Sequence, residues 1–170
     1  MASEPHLPFD PIDRAGELWE QNFGAAESMR VATSIMRVQQ LLIGALDARL
    51  KPFDITFARY EVLVLLTFSN SGHLPLSKIG ERLMVHPTSV TNAIDRLEAQ
   101  GLVRRTPDQG DRRRVLASLT AQGKRVTTAA TKALTDLDFG ISGLDRTELE
   151  TLYSLLRQVR GAAGDFPYRT

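Results

Sequence analysis

The sequence predicts a mainly α-helical fold with one small antiparallel β-hairpin, and three observations carry that reading. Residues 27–50 repeat apolar side chains every three or four positions until Pro52 stops the run. Two short helical segments, 76–83 and 87–100, are separated only by Met84-Val85-His86. Directly after Gly101 the pattern changes to two β-like runs around a polar turn. The resulting order is helix, helix, helix-turn-helix, hairpin, helix, helix. It contains no strand-helix-strand alternation, which places the chain in the α+β class.

The elements follow in order. Pro5, Pro8 and Pro11 predict an extended start, and Ile12, Gly16, Trp19 and Phe23 a short helix broken near Gly24. In the long helix 27–50, Val31, Ile35, Val38, Leu42, Ala45 and Leu46 share one face. Thr56 is the expected cap of a core helix that reaches about Phe68, with Tyr60, Leu63, Val64 and Leu66 too apolar for exposure and residues 69–72 (Ser-Asn-Ser-Gly) as its break. Ile79 and Leu83 turn the next helix inward, and Pro87 opens the one after it, where a missing N–H costs nothing. Gly101 suits the left-handed position that ends this helix. Runs 102–106 and 115–119 then form the hairpin, or wing, about the loop 107–113. Thr120 caps a helix expected to reach about Phe139, and Asp145 with Glu148 makes a capping box before Leu149, Leu152, Leu155, Leu156 and Val159. The tail after Gly161 is expected to fray. Three sections result: an N-terminal extension and long helix (1–54), a winged helix-turn-helix (55–119) and C-terminal helices (120–170).

Composition narrows the function. With 42% hydrophobic and 24% charged residues the chain is of globular type. Its apolar runs are far shorter than the roughly 20 residues of a membrane span, and its acidic start does not resemble a signal peptide, so cytoplasmic residence is expected. The absence of cysteine excludes disulfides, thiolate catalysis and sulfur-ligated metals. His6, His73 and His86 lack metal-ligand spacing, and no nucleophile and base, phosphate-cradling glycine loop or carboxylate cluster stands out. Neither an enzyme nor a cofactor or metal site is expected.

The net charge of +1 is less informative than its distribution. Residues 76–120 hold eight bases (Lys78, Arg82, Arg96, Arg104, Arg105, Arg112, Arg113, Arg114) and five acids (Glu81, Asp95, Glu98, Asp108, Asp111), a surplus of three positive charges. Residues 1–26 hold Arg14 against Glu4, Asp10, Asp13, Glu17 and Glu20, a surplus of four negative ones. The two regions are not expected to face the same polyanion.

On a helix 87–100, Val90, Ile94 and Leu97 fall on one inward face, leaving Thr88, Asn92, Asp95, Arg96 and Ala99 outward. Small Thr88, Ser89 and Thr91 beside Pro87 allow close approach to a major groove, the helix N-terminus attracts phosphate, and Asn92 can pair with adenine through two hydrogen bonds. The wing adds Arg104, Arg105, Arg112, Arg113 and Arg114, with Arg113 the choice for a minor groove and Asp111 expected to bridge to it. Asp95 is expected to orient an arginine such as Arg96 or Arg112. The competing reading is a winged helix that recruits proteins and never touches DNA.

The run 111–123, Asp-Arg-Arg-Arg-Val-Leu-Ala-Ser-Leu-Thr-Ala-Gln-Gly, resembles the D-x-R…LT..G wing signature of the MarR (multiple antibiotic resistance regulator) family, and residues 76–83 and 90–103 are similar to its helix-turn-helix. The resemblance implies a homodimer built on the N- and C-terminal helices, binding a palindromic double-stranded operator as a repressor relieved by a small aromatic or anionic ligand. Pro75, Lys78, Met84 and His86 depart from the family's usual Thr, Glu, Gly and Ser. The Trp19 helix looks like the extension of the urate-responsive branch, which makes Trp19 and Glu61 candidate ligand-pocket residues. Trp19 otherwise reads as a core anchor, and Ala93 stands where that branch carries arginine, so urate itself is not the expected effector.

Overall fold

The computed structural model describes residues 7–111 and 113–167. Seven α-helices and three strands run in the order α1 (Pro11–Phe23), α2 (Glu27–Leu50), α3 (Phe57–Thr67), β1 (His73–Pro75), α4 (Leu76–Leu83), α5 (Pro87–Ala99), β2 (Val103–Pro107), β3 (Val115–Leu119), α6 (Ala121–Thr135) and α7 (Arg146–Ala162) among the described residues. The mainly helical fold with a small antiparallel sheet is therefore as expected, and most helix boundaries fall where proline, glycine and capping residues put them.

The differences have identifiable causes. Pro11 belongs to α1 rather than to an extended lead, because the Asp10 carboxylate accepts from the backbone N–H of Ile12 at 2.8 Å and proline is tolerated in the first turn. Thr56 occupies the cap position of α3 without making the cap bond. Asp47, on α2, supplies it instead, its Oδ1 accepting from Phe57 N at 2.6 Å. The sheet has three strands in the order β1-β3-β2, whereas the sequence predicts two. The extra strand pairs His73 with Ser118 and Leu74 with Ala117. The run predicted at 102–106 is displaced by one residue, since Leu102 is buried in the turn and its carbonyl accepts from Thr120 N at 3.0 Å.

Helix α6 ends at Thr135, short of the expected Phe139, because Asp138, Phe139 and Gly140 all take left-handed backbone angles (φ 49°, 51° and 78°) in a 3-10 turn. Gly140 lies against α2, where an added Cβ would be 3.1 Å from a Leu42 methyl. The capping box at the start of α7 forms as expected, with Glu148 N donating to Asp145 and Asp145 N donating to Glu148. Helix α7 ends at Ala162, one residue past Gly161, and beyond it Arg160 pairs with Asp165 at 2.7 Å while the guanidiniums of Arg157 and Arg160 lie over the Phe166 ring.

One core gathers the ends of α2 and α6, all of α3 to α5 and the inner face of the sheet. Leu50, Leu63, Ile79, Ile94, Leu97 and Leu134 are fully buried in it. It does not reach the rest of α2, where Val31, Ile35 and Val38 stay exposed, nor α7, which has no buried residue. Trp19 is 41% exposed and tilts against Phe23 with ring centroids 5.1 Å apart, so within a single chain it is no core anchor.

Candidate nucleic-acid interface

Helices α4 and α5 pack through small contacts that set the angle of the second. Gly80 leaves room for the carbonyl of Val85 and a methyl of Val90, either of which would stand 3.3 Å from an added Cβ. Met84 ends α4 in a left-handed conformation at φ 56°, the geometry for which glycine is commoner. His86 then caps α5 through its ring: Nδ1 accepts from Thr88 N at 3.3 Å and lies 3.1 Å from the Thr88 hydroxyl. The departure from serine at this position thus keeps the capping function with a larger side chain.

Val90, Ile94 and Leu97 point into the core, as the spacing predicts. Pro87, Thr88, Ser89, Thr91, Asn92, Asp95, Arg96 and Ala99 are exposed. Thr91 turns its hydroxyl back to the Pro87 carbonyl at 3.1 Å. Asn92 and Arg96 make no side-chain hydrogen bond or ion pair among the described residues. At the far end, Gln100 Nε2 donates to the carbonyl of Asp54 at 2.6 Å and to its carboxylate at 2.8 Å. The C-terminus of α5 is thereby tied to the turn that follows α2.

The wing is closed at its tip by Asp108 N donating to the Arg114 carbonyl at 3.0 Å. Asp111 does not bridge to the Arg113 guanidinium as expected. Its Oδ1 accepts from Arg113 N at 3.0 Å, and its carbonyl accepts from Arg114 N at 2.9 Å. A short side chain two residues before a backbone N–H reaches it more readily than it reaches a long arginine's end, so Asp111 shapes the turn. The Arg113 side chain is left exposed and without an ion pair among the described residues, while Arg114 lies 3.7 Å from Asp108. Arg104 is exposed on the sheet's outer side, opposite Ser118. Arg112 lies outside the described residues.

Asp95 finds a partner that the sequence reading did not choose. Arg105, on β2, donates from Nη2 to Asp95 at 2.5 Å and from Nε to Glu98 at 2.7 Å, and its backbone N–H donates to the other Glu98 oxygen at 3.0 Å. Arg105 is therefore not one of five free wing cations. Strand alternation was the available signal: Val103 is buried, so Arg105 two residues on shares its face and points at α5.

These bonds hold the Glu98 carboxyl below its ordinary value of 4.5, chiefly through the Arg105 backbone N–H and then its side chain. A carboxylate depressed in the folded state stabilises it above the unfolded value, and that contribution disappears as pH falls through the folded value. Wild-type protein is expected to lose thermal stability on acidification below about pH 4.5, and Glu98→Gln to lose less over the same range. Parallel melting curves from pH 7 to pH 3 check this, and superimposable pH profiles would contradict it. Glu61 shifts the other way, its carboxyl raised by desolvation on α3. It makes no ion pair among the described residues. Glu61 belongs to α3 and Trp19 to α1, which packs along α2, and no described hydrogen bond, ion pair or ring contact joins the two.

Comparison with known proteins agrees with this geometry. Residues 57–115 match the profile of the MarR family. The chain is 34% identical over 111 residues to YhbI, an HTH-type transcriptional regulator of Bacillus subtilis, spanning 65% of this chain and 71% of that protein. It is 33% identical over 98 residues to PecS, an HTH-type transcriptional regulator of Dickeya dadantii, spanning 57% and 59% respectively. Among solved structures, a MarR family transcriptional regulator from Streptomyces coelicolor shares 55% identity with a TM-score of 0.76, over 83% of this chain and 98% of that one. A mutant MarR from E. coli in complex with operator DNA shares 28% identity with a TM-score of 0.70, over 79% and 96%. The chain belongs to the MarR family of transcriptional regulators.

Proposed function

We propose that this regulator binds a palindromic DNA operator as a homodimer, with α5 in the major groove and the wing beside it. The observation that carries the reading is the outward face of α5, which leaves Thr88, Ser89, Thr91, Asn92 and Arg96 exposed, together with an exposed Arg113 that has no ion pair among the described residues. Thr88 and Ser89 stand at the first turn, whose free N–H groups favour a phosphate. Asn92 and Arg96, one turn apart, follow along the groove to read base edges. Arg104, Arg113 and Arg114 supply charge that exchanges for condensed counterions, with Asp111 shaping the loop that carries them. Arg112 is assigned to the same loop from the sequence alone. The operator complex of the E. coli relative supports the same use of the fold.

The other sections take supporting roles in this reading. Residues 1–54 and 120–170 form the dimer around the lobe 55–119, supported by the exposed apolar side chains of α2 and α7. No helix among the described residues is long and apolar enough to cross a membrane, and the cytoplasm is the proposed compartment. Relief of repression by a small aromatic or anionic ligand near Trp19 or Glu61 completes the proposal. It is supported by the partly exposed indole ring of Trp19 and by a Glu61 carboxyl that lacks an ionic partner among the described residues.

Footprinting on the intergenic DNA beside its own gene, repeated with phenolic and purine effectors, tests the reading. A protected palindrome is expected, and the absence of any protected sequence would favour the protein-recruiting alternative. Arg113→Ala is expected to weaken operator binding by about 1–3 kcal/mol, read by gel-shift titration at fixed salt. Unchanged affinity would remove the wing tip from the interface.

A further inference from the structure

We infer that Arg105 is a positioning residue for DNA recognition, locking the wing to the recognition helix through Asp95 and Glu98 without itself touching DNA. The inference rests on the DNA-binding reading above and adds to it a residue that sets the geometry of two DNA-contacting elements at once.

β2 is an edge strand, so alternate backbone N–H groups along it have no strand to pair with. The N–H of Arg105 is satisfied by Glu98, and the same residue's side chain spans both Glu98 and Asp95, three positions apart on α5. One strand residue thus makes three bonds to two carboxylates of the recognition helix. Its side chain is 30% exposed, against 49% for Arg114 in the turn just before β3. Apolar burial stops short of the wing tip: Arg105 still pairs with the buried Ala117, whereas Thr106 and Pro107 beyond it are exposed. Val103 is the last buried residue of β2, and beyond it Arg105 supplies the described polar ties between strand and helix.

Electrostatics makes the lock specific to binding. Asp95 and Glu98 keep 48% and 37% exposure of their side chains, and Asp95 stands on the face of α5 that carries Asn92 and Arg96. Two uncompensated carboxylates there would repel phosphates within a Debye length. Arg105 turns them into a bound cluster, and its forked, planar guanidinium suits two acids where lysine's single ammonium would serve one. Arg104, next along the strand, faces the other side of the sheet and makes no ion pair among the described residues. The adjacent arginines therefore divide their tasks, Arg105 holding the frame and Arg104 remaining open.

A double-mutant cycle on a duplex selected by the wild-type protein from a randomised library tests this. Arg105→Met keeps the stem and removes the charge, and is expected to raise Kd about tenfold. In the Asp95→Asn/Glu98→Gln background the same change is expected to cost nothing further, because the lock is already gone. Arg105→Lys is expected to recover part of the loss. An equal cost of Arg105→Met in both backgrounds would make Arg105 a DNA contact and overturn the inference. Amide hydrogen exchange on the free protein supplies a second arm: Arg105→Met is expected to speed exchange across residues 103–115 with the urea midpoint little changed. Unaltered exchange there would also overturn the lock. If the wild type enriches no duplex, the DNA-binding reading falls, while the exchange experiment still decides whether Arg105 holds the wing.

Discussion

Gly123→Ala is expected to destabilise the protein by at least about 3 kcal/mol, which makes it the most damaging single methyl addition the glycine positions offer. A Cβ at Gly123 would stand 2.0 Å from the Leu102 carbonyl oxygen and 2.9 Å from its carbon, with a Leu119 methyl at 3.3 Å. Backbone is the obstacle, and it cannot swing aside as a side chain can. At Gly16 the nearest atoms to an added Cβ belong to the end of the Arg30 side chain, which can move.

The Leu102 carbonyl is also committed. It accepts from Thr120 N at 3.0 Å, while the Thr120 hydroxyl donates to the Gly101 carbonyl at 2.7 Å and accepts from Gly123 N at 2.9 Å. Moving Leu102 away from a new methyl would break these bonds together, at the point where α5 gives way to β2. This is the physical content of the threonine and glycine in the family's wing signature: the hydroxyl caps α6, and the missing side chain lets α6 lie against the turn. Urea unfolding of purified protein measures the loss. A decrease below about 1 kcal/mol would mean that the turn yields cheaply. Operator affinity is expected to fall even in the fraction that stays folded, because Leu102 leads directly into the wing.

What could be read from the sequence was local. The bounds of α2, α4 and α5 follow from side-chain period, Pro52, Pro87 and Gly101, and the inward set Val90, Ile94 and Leu97 follows from helical geometry alone. What could not be read depends on residues distant along the chain. Strand β1 has three residues, ends in proline and exists only because Ser118, Ala117 and Leu116 lie beside it. The cap of α3 comes from Asp47 rather than from the neighbouring Thr56. At the interface, residue types were enough to choose the outward face of α5 and the cationic wing. They were not enough to separate Arg105 from Arg104, since only the pleat decides which arginine meets the helix and which meets solvent.

Leu155→Glu is expected to raise the dimer dissociation constant by at least about 30-fold, the effect of losing one interfacial anchor worth 2 kcal/mol or more. Helix α7 is 17 residues long and buries none of them in the single chain, and helices near this length are marginal on their own in water. Leu152, Leu155 and Val159 recur at helical spacing along it and are 38%, 54% and 55% exposed. Val31, Ile35 and Val38 do the same on α2. Two long apolar stripes outside the core are far more than scattered surface leucines, and in the proposed dimer a second copy of the chain would cover them by symmetry. Sedimentation equilibrium reads the shift in mass, and gel shift is expected to lose affinity with it, because a monomer engages one half-site and forfeits the effective concentration of the second. Glu150→Gln serves as the control: its ion pair with Arg146 lies on open surface, and its loss is expected to leave the dimer intact. Should Leu155→Glu remain dimeric at the lowest measurable concentrations, the shared surface must lie elsewhere than on α7, and the spacing of the two recognition helices would have to be set by α2 alone.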